Sequence, residues 1–165
     1  MIIDCHVHML TAKDYADHLV DTMDEAGIDM CCLLAMRQQD MWGSQSGYNN
    51  YVMDAYHKYP NRFIPFASVD LGVDPINMID NLQLEGFRGI KITRTKYNYN
   101  DDIMMPYYER AARYDMVFLF HTGTVVRTEQ DRYLDIDSSR LRPIYLDRIA
   151  RAFPELKLIG AHLGN

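Results

Sequence analysis

Met30-Cys31-Cys32-Leu33-Leu34-Ala35 is apolar at almost every position. Successive residues of a strand point to opposite faces, so a strand with one wet face alternates apolar and polar side chains. A run polar on neither face fits a parallel strand covered on both sides by other elements. The same kind of segment recurs along the chain, and the spacing predicts strands near 1–6, 28–35, 63–69, 87–92, 116–121 and 156–162. Helical periodicity fills the intervals. Tyr15, Leu19, Met23 and Ala26 recur before a stop at Gly27, with Thr11 as the expected cap. Tyr51, Ala55 and Tyr59 precede Pro60. Asp74-Pro75 opens a stretch holding Ile79 and Leu82 and ending at Gly86. Tyr107, Tyr108, Ala111 and Tyr114 form a fourth stripe, and Tyr145, Ile149, Ala152 and Phe153 a fifth before Pro154. Tyr15, Leu19, Ile79, Leu82, Ile149 and Phe153 are expected to face the sheet. Pro65 is awkward inside the third strand, because it gives up a ladder hydrogen bond. Alternating strands and helices imply an α/β fold with a parallel sheet.

In parallel sheets the functional side chains gather at the C-terminal ends of the strands. Asp4-Cys5-His6-Val7-His8 closes the first apolar run. Residues i and i+2 of a strand share a face, so His6 and His8 point together, about 7 Å apart along the strand, with Asp4 one step behind on the same face. His121 ends the fifth strand and His162 the sixth. Neutral imidazoles bind Zn²⁺ and other divalent transition metals. Three protein ligands with an open position mark a catalytic metal site rather than a structural one. His18 and His57 fall inside predicted helices and read as surface or packing residues.

Composition removes several alternatives. The formal net charge of -6 and a pI near 5.4 give nucleic acid no basic surface to bind. No apolar run approaches the roughly 18 residues of a membrane span. Three cysteines (Cys5, Cys31 and Cys32) give no disulfide framework, and reduced cytoplasmic thiols are expected. Neither a dinucleotide fingerprint nor a phosphate-binding glycine loop is present. Polar loops follow strands two and five. The first holds Arg37, Gln38 and Trp42, and the second, about 18 residues long, holds Arg127. Arg94 follows strand four. These arginines are candidate clamps for a substrate carboxylate, or else solvated surface charges. Trp42 lines a substrate or packs its loop onto the sheet rim.

Four segments carry a resemblance to a known family: Ile3-Asp4-Cys5-His6-Val7-His8, Gly86-Phe87-Arg88-Gly89-Ile90-Lys91-Ile92, Val117-Phe118-Leu119-Phe120-His121-Thr122-Gly123, and the stretch from Phe153 to Gly164. The chain resembles the amidohydrolase superfamily, in its amidohydrolase-related, aminocarboxymuconate-semialdehyde decarboxylase-like branch. The resemblance implies a TIM-type (β/α) barrel, here with only the first six strands, as one catalytic domain over 1–165. It also implies His6, His8 and His121 as metal ligands and His162 as acid/base. Zn²⁺ is the first expectation, with Mn²⁺ or another divalent transition metal as the alternative. Some relatives carbamylate a strand-four lysine. For Lys91 the other readings are a substrate contact or a snorkelling side chain.

The family pattern usually ends with an aspartate after strand eight, and this sequence ends at Asn165. The expectation is therefore a C-terminally incomplete barrel, with Asp4 a poor substitute for that carboxylate and Asp70 able to reach inward. Two open sheet edges would favour association, so a homo-oligomer is expected. Hydrolysis of a small amide, ester or lactone is the first functional expectation. Non-oxidative decarboxylation of a small unsaturated or aromatic acid is the second, and an inactive scaffold the third. The expected partner is a small carboxylate-bearing or cyclic molecule, with no nucleic acid and no membrane.

Overall fold

The structure, a computed structural model, describes residues 1–36, 48–126, 131, 133 and 135–164. Its elements alternate as β1 (Ile3–His8), α1 (Tyr15–Ala26), β2 (Met30–Leu34), α2 (Asn49–Lys58), β3 (Phe63–Ser68), α3 (Met78–Glu85), β4 (Gly89–Ile92), α4 (Met105–Ala112), β5 (Val117–His121), α5 (Tyr145–Ala152) and β6 (Lys157–Ala161). The six strands lie in sequence order, every neighbouring pair parallel. The result is a curled half-barrel of the TIM type. No helix among the described residues is long and apolar enough to cross a membrane.

The helices form on most of the predicted stripe positions, but Ala26, Tyr51, Tyr114 and Ala152 are exposed, and α3 begins at Met78 rather than at Asp74-Pro75. Met23, Ile79, Leu82, Tyr108 and Ile149 are buried against the outer face of the sheet, and Tyr15, Leu19 and Phe153 pack on the same layer. Gly27 ends α1 in the left-handed region, with φ 69°, a conformation that costs glycine nothing. The start of α1 differs from expectation. Asp14, not Thr11, occupies the N-cap, and its side chain makes no capping bond. Pro65 sits within β3 without penalty. It stands one residue before the β3–β4 ladder begins at Phe66↔Gly89, and its carbonyl still accepts from the Arg88 N–H at 2.9 Å.

The inner face carries a smaller apolar layer of Cys32, Leu34, Phe66, Leu119 and Ala161. These residues come from one register row after another, because paired residues of parallel strands share a face. Leu34 pairs with Phe66, Phe66 with Gly89, and Lys91 with Leu119. Lys91 therefore points inward above the Phe66 layer.

The register of β1 breaks between Asp4 and Val7. Asp4 pairs with Cys31, whereas Val7 pairs with Leu33 and His8 with Leu34. Cys5 and His6 thus stand against Cys32 alone, which is a β-bulge. Unbroken pairing would have set His6 opposite Leu33, on the helix-covered face. The extra residue turns His6 and His8 inward and sends Val7 into the outer core. It also corrects the expectation for Asp4, which lies on the Cys31 side rather than with His6. Its Oδ1 instead accepts the His6 backbone N–H at 2.9 Å. That bond satisfies a donor at the point where the bulge interrupts the ladder.

Gly89 is constrained by close approach. A Cβ there would lie 2.3 Å from the Phe66 ring. Gly89→Ala is expected to destabilise the fold by about 1–3 kcal/mol through overpacking. Urea denaturation would measure it, and an unchanged midpoint would show that the Phe66 ring has room to move.

Candidate active site

The C-terminal ends of β1, β4, β5 and β6 open onto one cleft of about 370 Å³, lined by His6, His8, Lys91, Arg94, His121 and His162 together with Met36, Thr93, Thr124, Val125 and Val126. None of these described lining residues is acidic. The rings of His6 and His8 lie 4.8 Å apart, His6 and His162 4.8 Å, and His121 and His162 4.5 Å. Four imidazoles from the ends of three strands are therefore linked in one row, His8–His6–His162–His121. The convergence expected at the strand ends is present, once the bulge is added to simple alternation.

His6 Nε2 and His8 Nε2 are 3.1 Å apart. Metal–imidazole bonds of about 2.0–2.1 Å, meeting between a right angle and a tetrahedral angle, put two ligand nitrogens about 2.9–3.4 Å apart. The β1 pair thus has the spacing of two adjacent ligands. His8 Nδ1 is buried with no hydrogen-bond partner. His121 is held on two sides. The Tyr99 hydroxyl donates to its carbonyl at 2.6 Å, and its own Nε2 meets the Thr124 carbonyl at 3.1 Å. A carbonyl only accepts, so Nε2 carries the proton and Nδ1 keeps its lone pair. An imidazole donating one N–H to a backbone carbonyl is the usual state of a metal-binding histidine. The donor chemistry therefore fits a divalent transition metal. The arrangement is not closed around one point, however. Among the described residues no group of three or more His, Cys, Asp or Glu side chains is arranged to hold an ion.

The electrostatics keep these rings neutral. Burial, with the Lys91 ammonium next, lowers His6 from 6.5 to about 3. Burial and Lys91 lower His8 to about 4. Burial also lowers His121 to about 4, against the bond to Thr124, which works the other way. His162, at the exposed rim, is lowered by burial and Lys91.

Lys91 is 1% exposed, and its Nζ lies 3.3 Å from His6 Nε2. A snorkelling lysine would reach water, so that reading is set aside. Arg94 lies at the rim with its guanidinium engaged by protein acceptors, Asp131 Oδ1 at 2.9 Å and the Val126 carbonyl at 2.6 Å. Asp70 does not line the cleft. Arg37, Trp42 and Arg127 lie outside the described residues. The sequence reading missed the bulge, and it missed Thr124 and Tyr99 as supports of His121. His121-Thr122-Gly123 did signal a turn, and Gly123 adopts φ 91°. The Tyr99 partnership joins residues 22 apart and has no local signature.

A model of the amidohydrolase family matches residues 3–165. The chain belongs to the amidohydrolase family. No curated protein matches it significantly. Solved structures of the same fold include 5-carboxyvanillate decarboxylase from Sphingomonas paucimobilis, at 13% identity and TM-score 0.64 over 99% of this chain and 68% of that one. A second is 4-oxalomesaconate hydratase from Rhodopseudomonas palustris, at 18% identity and TM-score 0.66 over 97% and 62%. A third is dihydroxybenzoic acid decarboxylase from Polaromonas sp. JS666, with bound manganese and the inhibitor 2-nitroresorcinol, at 18% identity and TM-score 0.63 over 99% and 65%. Identities this low establish the shared fold alone. The chain spans 62% to 68% of the length of these three structures.

The depressed histidines predict a pH dependence for the metal-free protein. The unfolded chain takes up protons below about 6.5, whereas the folded rings stay neutral until about 4 for His8 and His121 and about 3 for His6. Stability from these groups is present above 6.5 and is lost as pH falls towards 4. Urea midpoints should decline across that window, and a His6→Gln/His8→Gln double variant should decline less steeply. An identical slope in the variant would assign the decline to other groups.

Proposed function

We propose that this amidohydrolase-family chain carries the metal-binding and acid–base groups of a non-oxidative decarboxylase, a lyase acting on a small unsaturated or aromatic carboxylic acid, within one catalytic (β/α) domain. The observation that carries the reading is the cleft itself. Neutral imidazoles converge beside a buried Lys91, and no acidic side chain is among the described lining residues. Such a cleft attracts an anion. The decarboxylases of the same fold favour this reading over the hydrolysis expected first from the sequence. The family name itself keeps hydrolysis as the alternative.

In this reading His6, His8 and His121 hold a divalent transition metal. Imidazole does not by itself select among such ions. The manganese-bound relative favours Mn²⁺ over the Zn²⁺ expected from the sequence. The bound ion would supply positive charge to fix and polarise an oxygen-bearing substrate. Lys91 offers a cation for the substrate carboxylate, and Arg37, Trp42 and Arg127 are further candidates for substrate contact. His162 stands beside both His6 and His121 at the open side of the cleft. It is the group assigned to proton transfer. When the bond between the substrate carbon and its carboxylate breaks, the electron pair stays on carbon and CO₂ departs. His162, at the open side of the cleft, takes up a proton from solvent and passes it to that carbon, returning to the neutral imidazole.

Two measurements test the reading. Protein loaded with Mn²⁺ should release CO₂ from at least one member of a panel of hydroxylated aromatic acids. Proton release from lactones or esters without any CO₂ would transfer the assignment to hydrolysis. His162→Gln should keep its metal by elemental analysis while turnover falls about a hundredfold or more. Loss of the metal in that variant would make His162 a ligand instead.

A further inference from the structure

We propose that Arg94 is a positioning residue. It anchors the segment carrying the Thr124 carbonyl, and through that carbonyl it fixes His121 in the tautomer with a proton on Nε2 and a lone pair on Nδ1. The consequence for a metal rests on the assignment of His121 as a ligand under the proposed function.

Arg94 follows β4 in the left-handed region, with φ 48°. Non-glycine residues seldom take that conformation, and it persists only where the surroundings over-determine it. Here the surroundings are the guanidinium contacts. The Arg94 side chain is 3% exposed, so its charge needs protein partners in place of water. One terminal nitrogen pairs with Asp131 Oδ1 at 2.9 Å and the other donates to the Val126 carbonyl at 2.6 Å. Both acceptors belong to the segment after β5, so a single side chain from β4 ties that segment across the cleft.

The tied backbone is the one that orients His121. Thr124, whose carbonyl accepts from His121 Nε2, lies two residues before Val126. Two neutral bonds also hold this turn, Gly123 N–H to the Leu141 carbonyl at 3.1 Å and Val125 N–H to Ser138 Oγ at 3.3 Å. The Arg94 contact is shorter and charge-assisted, roughly twice as strong as a neutral bond. The sequence left Arg94 as either a clamp for a substrate carboxylate or a solvated surface charge. A carboxylate bound to the same guanidinium would sit beside that of Asp131, a like-charge neighbour. The geometry therefore favours Arg94 acting on the site through Val126 and Thr124.

The test reads His121 directly, in the metal-free protein, by long-range proton–nitrogen correlation of ¹⁵N-labelled imidazoles. The unsubstituted protein should show the single tautomer protonated at Nε2. Arg94→Gln should lose that pattern and show averaging between tautomers. Its Mn²⁺ dissociation constant, read from the resonance of free Mn²⁺, should rise about tenfold or more, as for outer partners of metal ligands. An unchanged single tautomer in folded Arg94→Gln overturns the proposal. Averaging with unchanged Mn²⁺ affinity upholds the positioning role and instead removes His121 from the ligand set. If Arg94→Gln does not fold, Arg94→Lys is read by the same criterion. Its single ammonium cannot reproduce the two-nitrogen bridge between Val126 and Asp131.

Discussion

Parallel pairing of consecutive strands makes every strand of this sheet end on the same rim. Each strand enters from the helix-linked side and leaves at the cleft, so the residues that close one strand meet those that close its neighbours. That one constraint brings residues 6, 91, 121 and 162 within a few ångströms of each other. The helices serve it by covering the outer face, and the Phe66 layer serves it by filling the inner face beneath the polar groups.

Register then decides which side chains reach the cleft. On β4 and β5 the inward rows run without interruption to Lys91 and His121. On β1 they do not, and the bulge reverses the facing of His6 and His8 partway along the strand. At β6 the strand ends at Ala161, and His162 takes φ 66° in the left-handed region. Arg94 departs from ordinary backbone geometry in the same way. Among the described residues, two of the five non-glycine positions with positive φ therefore line the cleft, which is where stored strain is expected to gather.

Crowding sets the chemistry of the cleft. Imidazoles packed around a buried ammonium lose water and feel a neighbouring positive charge, and both effects hold them neutral. Neutral imidazole is the form that binds a metal or accepts a proton. His8 Nδ1 is buried without a hydrogen-bond partner, and the described lining residues include no carboxylate.

The sequence determined the order and direction of the elements. Period-two and period-3.6 patterns are local, and alternation of the two leaves a parallel sheet as the packing that buries both. It also identified His6, His8, His121 and His162, because a histidine directly following an apolar run is visible without any contact information. The tertiary structure alone decided the facing of the β1 pair, since a bulge is a property of two strands in register and not of one. It alone decided that Lys91 is buried against His6 rather than snorkelling, because burial depends on what the neighbouring strands stack around it. It alone revealed that Arg94 reaches Val126 and Asp131, 32 and 37 residues away. Long-range hydrogen bonds of this kind are fixed by packing, and no spacing in the chain encodes them.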